Sequence, residues 1–402
     1  MKKGIPNRSE LLETVYTFSR PSESDRASDN LERIHISEVR VVASYSWADT
    51  SVPTIVVPGT PRVWTNHPAR KVKPDSGKTY IDKNAARMSS LNRSPLMPIF
   101  TAAEALGSLN DLKGHDIVTD RNGLRKLYHW ARGNGGGSPF RIDVQLAGST
   151  CLFTRREPKN VTRIQPGGGS KEYGFAYETA ATISSESSSG HHRIISYKLA
   201  DIGLLVRCEI DACLGTGNTA KATKPGNSKR SFSTVAQSPH PTFQVVPKGS
   251  GLHNTMKPTK FSAGLNVRLS TSQGFVPQDQ LIEIKTYRTK IEWYKVYTQL
   301  ALGQTPLIYT AQHTGENFAV PEKYNVSDPD NATMVKHARW FEDGLVMLHD
   351  ILKQILSAVR ERGDGAVLSL VQEGGQLKLV ERQPLKNKVV EEAVLRLFRD
   401  RI

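Results

Sequence analysis

Residues 204–213, LLVRCEIDAC, set two carboxylates, Glu209 and Asp211, into an otherwise apolar run. Strand interiors are depleted of acids, and a buried acid needs a partner. Side chains alternate between faces along a strand. Leu204, Val206, Cys208, Ile210 and Ala212 therefore share one apolar face, while Arg207, Glu209 and Asp211 share the other. Neighbouring acids on one face repel unless a cation sits between them. The same pattern also describes a half-exposed strand with a solvated face.

Two further stretches carry acids in similar settings. LIEIKTYR (281–288) places Glu283 and Lys285 on one face and Ile282 and Ile284 on the other. Glu-x-Lys on an apolar strand is a common surface ion pair. It is also the form of a nuclease half-site, where the acid holds a divalent metal and the lysine steadies phosphate charge or steers water. YGFAYE (173–178) ends an aromatic run on Glu178. Glu178, Glu209, Asp211 and Glu283 are thus hard oxygen donors, expected on separate β segments, and no His/Cys set competes with them. Magnesium and manganese prefer such donors.

Composition points the same way. The chain of 402 residues carries 54 Lys and Arg against 39 Asp and Glu, a formal charge of +15. Such a surplus either aids solubility or attracts a polyanion, most often nucleic acid. The three cysteines, Cys151, Cys208 and Cys213, are too few and irregular for a disulfide framework or a zinc site. No run reaches the roughly 18 apolar residues that suggest a membrane span, and no signal peptide is expected.

Residues 1–33 read as a loose, charge-mixed segment. Residues 34–402 read as a single catalytic domain, in which 68–97 is expected to be loop and 166–184 to run from a turn into strand. SSESSSGHH (184–192) reads as a polar turn. Residues 214–275, rich in Gly, Ser, Thr, Lys and Pro, read as a flexible insertion. GTGNTAK (215–221) within it lacks the Gly-Lys-Ser/Thr ending of a phosphate loop. Helices are expected at RNGLRKLYHWARG (121–133), at TKIEWYKVYTQLALG (289–303) and at 332–363. The last carries an apolar stripe of Trp340, Phe341, Leu345, Leu348, Ile351, Ile355 and Val359. AVLSLVQEGGQLKLVE (366–381) reads as a hairpin turning at Gly374 and Gly375, and a last helix is expected at 387–399. The fold class is α/β (α+β): mixed sheets flanked by helices, in one domain with a long insertion.

In this order the motifs resemble the DXO-type decapping exoribonucleases, a family with a PD-(D/E)xK-nuclease-like core. Gly174-Phe175-Ala176-Tyr177-Glu178 stands for that family's Gly-Tyr-x-Phe-Glu. Glu209-Ile210-Asp211 and Glu283-Ile284-Lys285 stand for its Glu-x-Asp and Glu-x-Lys, and Gln299 lies at its helix-borne glutamine. The likeness runs over about residues 36–361, as a divergent, fungal-looking member. It implies two divalent ions, Mg2+ or Mn2+, bound by Glu178, Asp211, Glu283 and the Ile284 carbonyl, with Glu209 serving the second ion. It implies that Lys285 and Gln299 orient water and the scissile phosphate.

The family's Trp-Arg-Gly is replaced by FTRREP (153–158), which offers Arg156 for substrate, and 72 positions separate Asp211 from Glu283, more than is usual. The implied function is hydrolysis at RNA 5′ ends: removal of incomplete or NAD-type caps, pyrophosphohydrolysis of 5′-triphosphates, or 5′-3′ exonuclease action. The implied partners are RNA 5′ ends and a nuclear 5′-3′ exoribonuclease. A nuclear location follows from the family and from basic stretches such as KATKPGNSKR (221–230). Two alternatives remain open: a non-catalytic RNA-binding subunit that assists such an exoribonuclease, and a DNA nuclease on the same core.

Overall fold

The computed structural model describes residues 4–21, 34–66, 68–134, 138–165, 172–184, 188–215, 259–261, 264–270, 274–383 and 390–399. Most of the expected insertion, including GTGNTAK beyond Gly215 and all of KATKPGNSKR, lies outside these residues.

Two mixed sheets organise the chain. The larger has eleven strands, in the order Leu11–Phe18, Gln376–Arg382, Val367–Glu373, Phe140–Ala147, Thr150–Arg156, Ile117–Asp120, Ile202–Ile210, Ser188–Leu199, Ile36–Ala48, Thr54–Val57 and Asn266–Leu269. The smaller, of seven short strands, centres on Ala212–Cys213, Leu281–Tyr287 and Leu307–Thr314. Helices cover both faces of the large sheet. Arg121–Ala131, Trp293–Gly303 and Ala332–Arg360 share one apolar core with Leu204 and Val206. Met97–Leu106 and Glu392–Arg399 share the other with Leu205. The expected α/β class is therefore the observed one.

Burial on both sides changes the reading of the opening stretch. Leu205 is fully buried in the second core, so the polar face begins only at Arg207. The long helix matches its stripe: Phe341, Leu345, Leu348, Ile351, Ile355 and Val359 are buried, and Asn331 caps it by accepting the Met334 N–H at 3.1 Å. The Gly374-Gly375 hairpin turns with φ of 61° and 84°. Both values lie in the left-handed region that glycine enters without steric penalty.

Four local expectations give way. Residues 11–18, expected to be loose, form an edge strand antiparallel to Gln376–Arg382; its side chains are mostly exposed, so the ladder rather than a buried face holds it. Residues 68–97, expected to be loop, contain the strand Gly77–Tyr80 and the helix Lys83–Ser89. The run around Glu178 is the helix Gly174–Ala180, not a strand. His191 and His192 sit in the buried strand Ser188–Leu199, not in a turn. Within the insertion, Asn266–Leu269 pairs in parallel with Thr54–Val57.

Candidate active site

Asp211 stands where the chain leaves one sheet for the other. Ile202–Ile210 belongs to the large sheet, and Ala212–Cys213 begins a ladder with Leu281–Tyr287 in the small one, Ala212 opposite Ile282. Glu209 is therefore delivered by the first sheet, Glu283 by the second, and Asp211 by the joint. The Ile284 N–H fixes that joint by donating to Asp211 Oδ2 at 2.8 Å. Glu178 arrives from the helix Gly174–Ala180, and Gln299 from Trp293–Gly303.

All of these side chains line one cleft of about 440 Å3, together with Lys285. Glu283 is its buried anchor. Its Oε1 accepts from Lys285 Nζ and from Gln299 Nε2, both at 2.5 Å, and its Oε2 faces Arg121 Nη1 at 3.4 Å. Burial alone would raise the Glu283 pKa, but Lys285 and Arg121 hold it below the usual glutamate value. Lys285 is the converse: burial disfavours its charge, yet Glu283, Asp211 and Glu178 keep its pKa above the ordinary lysine value.

The other acids are less well compensated. Burial, with Glu283 and Glu178 close by, drives the Asp211 pKa well up. Glu178 is pushed up to about 8, mainly by burial, with Glu209 and Glu283 adding to it and Lys285 opposing. Glu178 and Asp211 thus lack the close counter-charge that Glu283 has, although Lys83, Arg121, Arg125, Arg155 and Arg207 also line the cleft. Hard oxygen donors in that state suit a divalent cation, so the donor chemistry fits Mg2+ or Mn2+. The cage is not closed: among the described residues, no three His, Cys, Asp or Glu side chains stand close enough to form a metal-ligand group.

Positive charge walls the cleft. Arg121 and Arg125, one helical turn apart on Arg121–Ala131, both face it. Arg125 donates to Gln299 Oε1 at 2.8 Å, so Gln299 is held between Arg125 and Glu283. Lys83 stands across the cleft near Glu209, its pKa lowered by burial and partly restored by that acid. Asp82 caps the Lys83 helix by accepting the Ala85 N–H at 2.8 Å. Arg207, fully buried, forms a two-pronged bond to Asp120, Nε to Oδ1 at 2.6 Å and Nη2 to Oδ2 at 2.9 Å. It ties the strand carrying Glu209 to the start of the arginine helix.

One expected substrate contact is corrected. Arg156 points away from the cleft, where its Nε donates to Asp143 Oδ2 at 2.6 Å inside a buried cluster with Arg141 and Arg382. Its neighbour Arg155 lines the cleft instead, held by Glu157 at 2.7 Å and the Ile81 carbonyl at 2.9 Å. Strand alternation makes the two arginines exclusive: only one can face the cleft. His192 also reaches the cleft wall, stacked on Tyr45 with Nε2 3.0 Å from Asn84 Nδ2, and burial keeps its pKa well below the usual histidine value. Arg121, Arg125, Lys83 and Arg155 belong to none of the acidic motifs that mark the site in the sequence. The first two had a signal, since Arg121 and Arg125 sit at i, i+4 in an expected helix.

The chain belongs to the family described as a domain of unknown function, DUF8563, whose model matches residues 26–395. No curated protein matches the sequence. Its fold is that of the Rai1 structures. Rai1 of S. pombe in complex with 3′-FADP aligns with a TM-score of 0.54 and 11% identity, over 92% of this chain and 99% of that one. Rai1 of Scheffersomyces stipitis, in complex with (3′-NADP)+ and calcium ion, aligns with a TM-score of 0.50 and 11% identity, over 92% of this chain and 96% of that one.

Proposed function

We propose that the chain is a divalent-metal-dependent hydrolase acting on RNA 5′ ends. The observation that carries this is one cleft in which Glu178, Glu209, Asp211 and Glu283, delivered by two sheets and a helix, meet Lys285 and Gln299 under an arginine wall. The Rai1 structures with 3′-FADP and (3′-NADP)+ lend support, and favour NAD-type caps among the 5′ ends.

Glu178, Asp211 and Glu283 would hold the metal, with Glu209 serving a second ion. When bound, the metal supplies charge to the phosphate and lowers the pKa of water. The chain's own groups do the rest. Arg121 and Arg125 attract and orient the polyphosphate. Lys285, kept charged by Glu283, offers its ammonium to the phosphate oxygens as negative charge builds there. Gln299, braced at both ends of its amide, fixes the angle of approach rather than moving protons. A nuclear location and a 5′-3′ exoribonuclease partner go with this reading and rest on the family resemblance.

The open cage and the Lys285–Glu283 contact favour one second reading, a non-catalytic RNA-binding subunit. Incubation of the pure protein with Mg2+ or Mn2+ and NAD-capped, 5′-triphosphate and 5′-monophosphate RNA, and with single-stranded DNA, separates the readings. The wild type should cleave RNA, and Asp211→Ala should lower the rate at least a hundredfold while keeping RNA binding. RNA binding without cleavage by either protein favours the second reading, and cleavage of DNA alone makes the chain a DNA nuclease.

A further inference from the structure

A second concavity, of about 410 Å3, lies outside the acidic cleft, walled by Asn134, Tyr294, Lys336, His337 and Trp340. It pairs two large aromatic rings with a lysine and contains no acid. One helix face joins it to the cleft. Along Arg121–Ala131 and its cap, Arg121, Arg125, His129 and Arg132 follow at steps of four, four and three, which places them in one row. Arg121 pairs with Glu283 and Arg125 bonds Gln299, both inside the cleft. His129 then meets the Tyr294 ring edge-on at 6.0 Å, and the Arg132 guanidinium lies 4.7 Å over the Trp340 ring. Arg125 and Arg132 are about 10 Å apart along the axis.

This row is under-neutralised. Among the described residues, no carboxylate pairs with Arg125 or Arg132, and both ring nitrogens of His129 lack a hydrogen-bond partner. Burial, with Arg125 and Lys295 close by, pushes the His129 pKa down to about 4, so its ring is an uncharged member of the row, and Lys295 is itself paired with Glu292 at 2.8 Å. Two unpaired guanidinium groups on either side of an imidazole, in a row that ends on aromatic rings, match single-stranded nucleic acid, with guanidinium groups for phosphates and rings for bases.

We propose that this face is a downstream subsite for single-stranded RNA. The backbone leaves the acidic cleft along Arg125 and Arg132, and a base stacks in the hollow walled by Tyr294 and Trp340, beside Lys336. The proposal rests on the RNA 5′-end reading and adds to it a path for the nucleotides that follow the cut.

The test is the length dependence of binding. 5′-Phosphorylated oligouridylates of two and eight nucleotides, with phosphorothioate linkages and calcium to suppress cleavage, are titrated by fluorescence anisotropy. The wild type should bind the octamer at least tenfold more tightly than the dimer. Trp340→Ala should remove most of that gain and leave dimer binding unchanged. Trp340 also packs on Tyr128, so the surface pair Arg132→Gln and Lys336→Gln carries the same test if Trp340→Ala fails to fold. It should weaken the octamer and flatten its salt dependence, by roughly 0.7 of a logarithmic unit per lost phosphate contact. Equal affinity for both lengths, or variants that weaken both lengths alike, overturns the subsite and leaves the cleft reading standing. A wild type that binds neither length overturns both.

Discussion

At the scale of the residue, the cleft is governed by unequal compensation among four acids. Glu283 has Lys285, Gln299 and Arg121 around it and keeps its charge, whereas Glu178 is pushed up to about 8. A carboxyl whose folded pKa is raised favours the folded state at low pH, and that advantage is lost as pH rises from the unfolded value through the folded one. Without metal, the wild type should therefore lose stability relative to Glu178→Gln as pH rises from about 4.5 to about 8. Melting curves of both proteins in EDTA across that range check this; parallel curves refute it. Adding Mn2+ at pH 8 should raise the wild-type melting temperature more than that of the variant. Lys285→Ala is expected to cost at least a hundredfold in kcat. It leaves Glu283 without its main counter-charge, so a melting curve should accompany the rate.

At the scale of the element, helix packing sets the arginine wall. The helices Arg121–Ala131 and Ala332–Arg360 touch where Gly344 lies against Tyr128, whose hydroxyl donates to the Phe341 carbonyl at 3.1 Å. A Cβ at Gly344 would collide with the Tyr128 ring. Gly344→Ala should destabilise the fold by about 1–3 kcal/mol despite better helix propensity, readable as a lower urea midpoint. Gly303 is the milder counterpart. A Cβ there would lie 2.8 Å from Arg121 Cδ and 2.9 Å from its Nη1. Gly303→Ala should shift Arg121 off Glu283 and raise KM for a 5′-triphosphate RNA severalfold, with little change in melting temperature. An unchanged KM would remove Arg121 from phosphate binding.

At the scale of the whole molecule, a buried cluster locks the amino-terminal strand to the large sheet. Arg141, fully buried, donates to the Pro6 and Asn7 carbonyls at 3.0 and 2.9 Å, to Glu10 at 2.8 Å and to Asp143 at 2.6 Å. Asp143 also binds Arg156 and Ser369. Burial alone would raise the Asp143 pKa, but Arg156, Arg382 and Arg141 hold it below the usual aspartate value. Its contribution is therefore present above about pH 3.9 and lost as pH falls through the lower folded value. Asp143→Asn should cost about 3–5 kcal/mol at pH 7, because Arg156 and Arg382 lose their acid and Arg141 keeps only Glu10. The gap between variant and wild type should close below pH 4 in denaturant titrations.

Much of this was legible in the chain alone, because periodicity is local. Two-residue alternation put Glu209 and Asp211 on one side and Glu283 and Lys285 on one side, and both pairs line the cleft. Helical spacing marked the long helix. The setting of Glu178 was not legible as helix, since GFAYETA has the aromatic content of a strand and its helix is a single short segment. Nor could alternation say which of Arg155 and Arg156 faces the cleft: parity orders side chains relative to each other, and only the neighbouring sheet and helices fix which side is which. Local sequence therefore determined the elements, the apolar stripes and the inventory of acids. Tertiary structure alone decided that the chain changes sheets at Asp211, that Gln299 is braced between Arg125 and Glu283, and that arginines from another helix complete the wall, because these meetings join residues that are distant along the chain.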